Sequence, residues 1–412
     1  MIFPGGEGER KLLKEVLAGA LLLLCLLSVG AGIRNALRFS QDFQYDAARA
    51  LLLGMDPYEI SQTPPFRPDV GADEKLDSFY GYFSSIDAPQ KMEANQFPSL
   101  LMELFPLALM PFRLSVSLWL LCNLVFTALI LFFLRKTFLN GISREMFSFL
   151  SLLMIAGTPW RNQLGVGQHT LFSFCFFLAA VWCSERGKQW GAGVLLAFSM
   201  FKYTLTLPLA LYFVFRRRFK ELAITAVIHL TATFAAMRLT GRPFFYLLIE
   251  PLRVSMALSG EGSLDIGSII GGGALSVALT FLLLLILLIL SVRMTRKDGA
   301  ERLLFTLLLL CSLVMTYHRS YDFFVMTAAY SGIAELEEKS RSVKMGKPGK
   351  VFGVTPSMLY FILLAVLFFG LRLFSESPGI MIFSAVLYYG FLIYYTINAL
   401  LRNSGKAEAG NG

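Results

Sequence analysis

Three uninterrupted apolar runs constrain this chain before anything else: Leu12 to Ala31, Leu114 to Leu134 and Ala274 to Val292. Each is long enough to cross roughly 30 Å of hydrocarbon as a helix. Inside a bilayer only helices and closed barrels satisfy every backbone N–H and C=O, and runs of this length select helices. Composition agrees, because 16% of the 412 residues are charged, against about 25% in a soluble domain. A soluble globular enzyme is excluded, and so are a disordered chain and a disulfide-stapled secreted module. No small-x-small site follows the first run before Arg34, so it reads as a retained span rather than a cleavable signal. The sequence describes an all-α, polytopic membrane protein.

The formal net charge of +9 does not point to nucleic acid, because the basic residues fall in short stretches between apolar runs. Arg10, Lys11 and Lys14 form the first, Arg135, Lys136 and Arg144 the second, and Arg186 with Lys188 the third. Arg216 to Lys220, Arg293 to Arg302 and Lys339 to Lys350 follow. This is the positive-inside pattern of cytoplasmic loops. Taking those loops as inside gives twelve spans, with both termini inside. They lie at about 12–32, 115–134, 145–162, 168–184, 189–202, 204–215, 220–238, 267–292, 301–317, 320–336, 355–373 and 379–400. The organisation is then a first helix (1–32), an outer stretch (33–114), a transmembrane core (115–336), a basic loop (337–354), a final pair (355–402) and a disordered tail (403–412).

Within the outer stretch, Phe43, Ala47, Ala50, Leu51 and Gly54 recur at helical spacing, which predicts an amphipathic helix along the membrane surface. Phe97 to Phe112 is apolar but cut by Pro98, Pro106 and Pro111, and counting it as a span would put Arg216 to Arg218 outside. It reads as a helix lying in, or dipping into, the outer leaflet. All five cysteines fall within apolar runs and behave as small hydrophobes, with no disulfide expected.

Ionisable groups at membrane depth are costly, so each is a functional candidate until a structural role is found. They gather at the outward span ends: Asp42, the stretch Arg161 to Thr170 with Gln168 and His169, Lys202, Arg238 and Arg242, and Tyr317 to Asp322 with His318 and Arg319. The inward ends carry simple basic anchors and a few acids. Each candidate also has a plainer role. Asp42 could cap the surface helix, Gln168 to Thr170 could form a helix start, and Lys202 could snorkel. His318, Arg319 and Asp322 could simply tie two helix ends together. His229, in mid-span, reads as a hydrogen-bonded packing residue. Taken as one site, the set offers a carboxylate, several cations and a lipid-facing wall. That mixture suits a phosphate on a long hydrocarbon tail. The cations would stabilise charge growing on the phosphate, and one carboxylate would take the proton of an attacking hydroxyl.

The motifs carry a resemblance. SQDFQYDAARALLLGMDPYE (Ser40 to Glu59) resembles the opening of the polyprenyl-phosphate-dependent glycosyltransferases of family 87, which have the GT-C fold and include mannosyl- and arabinosyltransferases. FPSLLMELFPLALMPF (Phe97 to Phe112), LGVGQHTLF, the lysine of SMFKYTLTLPLAL, the RRRFK loop and YHRSYDFFV continue it in order, over roughly residues 30 to 330. By that resemblance Asp42 is the catalytic base, with Asp46 one helical turn on as the alternative, and His318 lies near the donor phosphate. Lys202 and Gln168 line the donor pocket. This chain departs from the family where His169-Thr170 replaces the common Val-Asn and Tyr203 replaces proline, which leaves sugar and acceptor open.

The resulting expectation is an inverting GT-C glycosyltransferase. It would move mannose or a pentose from a polyprenyl phosphate to a hydroxyl on a lipid or glycan at the outer face of a prokaryotic cytoplasmic membrane. Asp42 would be the base. Lys202, His318 and Arg238 or Arg242 would lie on the phosphate, and Asp46, Gln168, His169, Arg319 and Asp322 would contribute to substrate binding. Inversion follows from one carboxylate acting without a second, nucleophilic one. No metal or cofactor is expected, although a divalent ion bridging phosphate and Asp42 stays open. The partners are the lipid donor, the acceptor and membrane lipids, with no nucleic acid; nothing in the sequence sets the oligomeric state. The competing readings are a lipid-linked-sugar flippase, which predicts ionisable residues near mid-bilayer and broken helices in related halves, and a membrane glycan ligase.

Overall fold

A computed structural model describes residues 7–39, 43–62, 78–79, 81–82, 94–258, 265–266, 270, 273–295, 301–342, 355–373 and 389–394. Among the described residues every regular element is a helix. The first half holds α1 (Glu7–Phe39), α2 (Tyr45–Leu52), α3 (Pro57–Gln62), α4 (Pro98–Glu103), α5 (Phe105–Ala108), α6 (Phe112–Lys136), α7 (Arg144–Ala156), α8 (Thr158–Val166) and α9 (Thr170–Glu185). The second holds α10 (Gln189–Ser199), α11 (Tyr203–Phe215), α12 (Phe219–Thr240), α13 (Phe244–Leu258), α14 (Gly273–Thr295), α15 (Glu301–Met315), α16 (Met326–Ser342) and α17 (Pro356–Leu373). Two 3-10 turns, Met200–Lys202 and Ser320–Val325, interrupt the sequence of α-helices.

The bundle has two unlike ends. At one, basic loops are tied by Lys14–Glu145 and Arg216–Glu301 ion pairs, by Ser184 Oγ donating to Glu221, and by Arg302 donating to Asn140. The other end collects the polar residues singled out in the sequence. Helix lengths explain how. α6 has 25 residues and α12 has 22, or about 37 and 33 Å at 1.5 Å per residue. α9, α11 and α15 have 16, 13 and 15 residues, or about 24, 20 and 22 Å from the basic end. The short helices therefore stop about 10 Å below the long ones. α9 and α15 are apolar and buried on nearly every side, as central helices without a lipid face should be.

Twelve full spans are predicted, but five described stretches are long and apolar enough to cross: Lys11–Arg38, Phe112–Lys136, Gln189–Phe215, Phe219–Thr240 and Leu275–Val292. The differences have local causes. The predicted span 145–162 breaks at Gly157, where Pro159 cannot continue the ladder of α7 and a Cβ would lie 2.8 Å from the Phe368 ring of α17. α8 then ends at Gly167, whose φ of +72° is left-handed, and α9 leaves at 107° to it. The predicted 320–336 span opens instead with the 3-10 turn Ser320–Val325. Most of the predicted 379–400 span lies outside the described residues.

Length alone would make Gln189–Phe215 one helix, yet its ends lie together. Gly193 of α10 sits against the Glu221 carbonyl and Ile224 of α12, beside Ser184. Arg216, after α11, pairs with Glu301, and Tyr212 packs edge-on against Phe138 with centroids 5.7 Å apart. The chain reverses at Lys202 and Tyr203, as the sequence predicts, and the turn carries Lys202 inward. The 97–112 segment also dips. Phe97 packs on Tyr203 with centroids 4.9 Å apart, and Ser99 Oγ is 3.0 Å from His229 Nδ1, halfway along α12. Further along, Leu101 packs with Ala236.

The reversal at Lys202 puts positions 190 and 217 at the same end. Cysteines introduced as Trp190→Cys and Arg217→Cys in separate variants should both react with a membrane-impermeant maleimide from one side of oriented vesicles. Labelling from opposite sides would make Gln189–Phe215 a single span.

Candidate active site

Three stopped elements converge on one carboxylate. Asp322, in the 3-10 turn Ser320–Val325, is fully buried at 0% exposure. Its Oδ1 accepts a short hydrogen bond from Thr170 Oγ1, at the first residue of α9. Its Oδ2 lies 2.9 Å from His318 Nδ1 and 3.4 Å from Lys202 Nζ. A buried carboxylate with fewer partners would cost several kcal/mol. Here a cation, an imidazole and a hydroxyl share it, so the charge is tolerated and each partner is aimed.

Lys202 reaches the cluster from the 189–215 reversal and is itself 6% exposed. Its backbone N–H donates to Ser173 Oγ at 2.7 Å, locking the turn to α9. Its ammonium donates to Gln168 Oε1 at 3.2 Å and lies 5.3 Å from the centroid of the Tyr321 ring. The second nitrogen of His318, Nε2, lies 3.1 Å from Thr316 Oγ1, and Thr316 also reaches the Thr204 carbonyl at 2.6 Å. The imidazole is thereby held between the end of α15 and the start of α11. Beside it, Arg319 Nε donates to the Tyr317 hydroxyl at 2.6 Å.

His169 does a different job. It is buried, its ring lies 4.2 Å from Phe201 and 5.6 Å from Trp119 between centroids, and its Nε2 is 3.2 Å from the Phe43 carbonyl. Phe43 stacks on Trp119 at 5.2 Å, while Trp119 Nε1 donates to the Gly167 carbonyl at 2.8 Å. Gln44 follows with φ +59°, a left-handed conformation that strains a residue other than glycine, and stands at the N-cap of α2. The corner leading into α2 is thus pinned to the α8–α9 break.

Asp42 itself lies outside the described residues, so the pinned corner begins one residue after it. Asp46 is buried in the first turn of α2, where its Oδ1 accepts the Ala47 N–H at 3.0 Å. Arg238 is exposed in the last turn of α12 and makes none of the cluster's contacts. Arg242 belongs to a separate group at the rim. Its Nε is 2.9 Å from Asp56 Oδ2, its Nη2 meets Glu59, and Tyr246 donates to Asp56 at 2.8 Å. Burial and the Asp56 carboxylate push the Tyr246 phenol up, which keeps it a donor. Asp56 also caps α3 through the Tyr58 N–H at 3.0 Å. Arg242 thus already has two carboxylates.

The geometry brings Gln168, Lys202, His318 and Asp322 into one cluster, with His169 and Arg319 alongside. Thr170, Ser173 and Thr316 complete it, and sequence reasoning assigned them no separate role. Thr170 was legible only as part of the polar stretch before α9. Among the described residues no group of three or more His, Cys, Asp or Glu could hold a metal.

A family model for glycosyltransferase family 87 matches residues 98–320. The chain belongs to glycosyltransferase family 87. The match covers Gln168, Lys202 and His318 and stops two residues short of Asp322. Neither the search of curated proteins nor that of solved structures returned a match. With its apolar helices, this family 87 chain is a multi-pass membrane glycosyltransferase.

The His169 contact has a measurable consequence. His169→Phe keeps a ring against Trp119 and Phe201 but removes the nitrogen facing the Phe43 carbonyl, a loss of about 1 kcal/mol of local stability. Hydrogen exchange in the peptide covering α2 should speed up by roughly fivefold, the rate equivalent of that energy. Unchanged exchange would mean that the contact does not anchor the corner.

Proposed function

We propose that this family 87 protein is an inverting GT-C enzyme. It transfers mannose or a pentose from a polyprenyl phosphate to a hydroxyl of a lipid or glycan, at the outer membrane face. The observation that carries this reading is the Lys202–Asp322–His318 cluster, which holds a buried ammonium beside a carboxylate and an imidazole at the ends of the short helices, about 20 to 24 Å from the basic end. A phosphate on a lipid tail can reach that depth while its hydrocarbon stays among apolar helices. The basic end supports a cytoplasmic assignment, which puts the cluster towards the outer face.

In this reading Asp42 takes the proton of the acceptor hydroxyl as its oxygen attacks the anomeric carbon. The bond from that carbon to the phosphate oxygen breaks, and its electron pair leaves with the polyprenyl phosphate. The phosphate passes from one negative charge towards two. Lys202 stabilises that growth, with Gln168 orienting it, while His318, buried between Asp322 and Thr316, acts behind Lys202 by holding the Asp322 carboxylate. No leaving-group acid is needed, because the phosphate departs as an anion. Asp46 is the alternative base. Arg319 and His169 support the donor side, and Arg238 is the rim cation left for the acceptor or headgroup. Arg242 would have to exchange Asp56 and Glu59 to join them.

One observation favours a second reading. The 107° break between α8 and α9 and the reversal at Lys202 put ionisable groups beside broken helices, as in a lipid-linked-sugar flippase. Membership in a glycosyltransferase family weighs against it, and so does the absence of paired motifs in the two halves of the sequence.

Purified protein in nanodiscs, given labelled polyprenyl-phosphate mannose or arabinose and a membrane lipid extract, should form glycosylated product. Asp42→Asn should lower turnover by at least about 100-fold, the scale of losing a general base, without loss of folded protein. Equal turnover in the mutant would remove Asp42 from the role and leave Asp46. Transport of labelled donor across sealed vesicles with no product would favour the flippase.

A further inference from the structure

The contacts around Asp322 are unequal in a way the transfer reaction does not require. Thr170 and His318 hold the carboxylate closely, by the short Oγ1 bond and at 2.9 Å. Lys202 stands off at 3.4 Å and divides its ammonium between Asp322 and Gln168 at 3.2 Å. The lysine backbone is fixed to Ser173, so only its side chain is free to swing. Asp322 has no exposed surface and cannot touch a substrate, whereas Lys202 keeps a small exposed area. The carboxylate is therefore a permanent ligand of Thr170 and His318 and an exchangeable one of Lys202.

We infer that Asp322 is a positioning residue that competes with the lipid phosphate for Lys202, holding the lysine ready when the site is empty and drawing it back so that the anionic product leaves. This rests on the reading of the cluster as the donor-phosphate site. The physical logic is charge balance. An ammonium this buried needs a counter-charge at all times, and Asp322 supplies it without ligand. An arriving phosphate replaces Asp322 at the ammonium, while Thr170 and His318 keep the carboxylate satisfied. After transfer the product carries more negative charge than the donor and would hold Lys202 more tightly. A fixed carboxylate beside the lysine offsets that excess. Only an anionic headgroup can make the exchange, so a neutral polyprenol should not engage Lys202.

Removing the competitor has a signature opposite to that of damaging a structural residue. Wild type, Asp322→Asn, Thr170→Val and Lys202→Gln would be placed in phosphatidylcholine nanodiscs. Binding of a polyprenyl phosphate and of the matching polyprenol would be measured by native mass spectrometry, with release followed by chase. Asp322→Asn should bind the phosphate about tenfold tighter and release it more slowly, through loss of a repelling charge. Its polyprenol binding should not change. Thr170→Val frees Oδ1 and strengthens the carboxylate's hold on Lys202, so phosphate binding should weaken severalfold, and Thr170→Ser should restore it. Weaker phosphate binding by Asp322→Asn, or equal shifts for phosphate and polyprenol, would overturn the inference. If Asp322→Asn does not fold, unchanged or tighter phosphate binding by Thr170→Val would overturn it instead. Lys202→Gln separates the two levels. Unchanged phosphate affinity there means that the cluster is not the donor site. Weakening there, together with weakening in Asp322→Asn, keeps the donor site and removes the competition.

Discussion

A single carboxylate with no access to water organises this structure. Asp322 lies where apolar packing would otherwise be complete, and a lone charge there would cost several kcal/mol. It is stable because α9 begins at Thr170, the 189–215 segment reverses at Lys202, and α15 ends just before His318. Those are also the points at which three central helices stop short. The helix lengths and the cluster are one fact seen from two sides. Extending any of these helices by a turn would withdraw a partner from Asp322, and losing Asp322 would remove the reason for them to meet.

The space above the short helices is filled by elements that do not span. α8 lies along α1, with Leu164 against Gly32 and Asn35 against Gly165. α2 is fitted by small residues, Ala47, Ala48 and Ala50, and turned back at Gly54, whose φ is +76° and where a Cβ would lie 2.9 Å from the Leu239 carbonyl oxygen. Arg49 donates to the Ala108 carbonyl and Tyr45 to that of Met110, both at 2.6 Å, so α2 rests on the dipping segment. The Asp56–Arg242–Tyr246 group closes the rim. Being partly exposed, it contributes less to stability than the buried cluster, and its role is to hold α3 against the α12–α13 turn.

Much of this was legible in the sequence, where the physics is local. Hydropathy found α1, α6, α12 and α14, because lipid-facing helices must be apolar along their length. The prolines at 98, 106 and 111 revealed the dipping segment. Basic loops at 186–188 and 216–220 pointed to the reversal, since both had to lie on one side and a turn near 203 was needed between them. His229 is a hydrogen-bonded packing residue, as read, with Ser99 as its partner. What could not be read was tertiary. Pro159 marks the break in the 145–162 stretch locally, but the packing of Gly157 against Phe368, over two hundred residues away, leaves no local signal. Thr170 differs from any helix-start threonine only through Asp322, 152 residues on. Arg242 resembles a free phosphate ligand until Asp56 and Glu59 are seen beside it. Asp42 could have been the cap of α2, but that position is Gln44.

The cluster's charge inventory bears on what kind of ligand belongs there. Within the buried contacts one carboxylate and one ammonium cancel, and a pair balanced in this way can exist among apolar helices without a bound ion. A site built from unpaired cations would need an anion at all times, and would hold its product as firmly as its donor. A site with no cation would gain nothing from a phosphate. Balanced charge with one loosely held partner lies between these limits. It suits a ligand whose negative charge is greatest after bond cleavage and which must then leave through lipid. The basic end, by contrast, is tied by the exposed Lys14–Glu145 and Arg216–Glu301 pairs and by the buried Ser184–Glu221 bond.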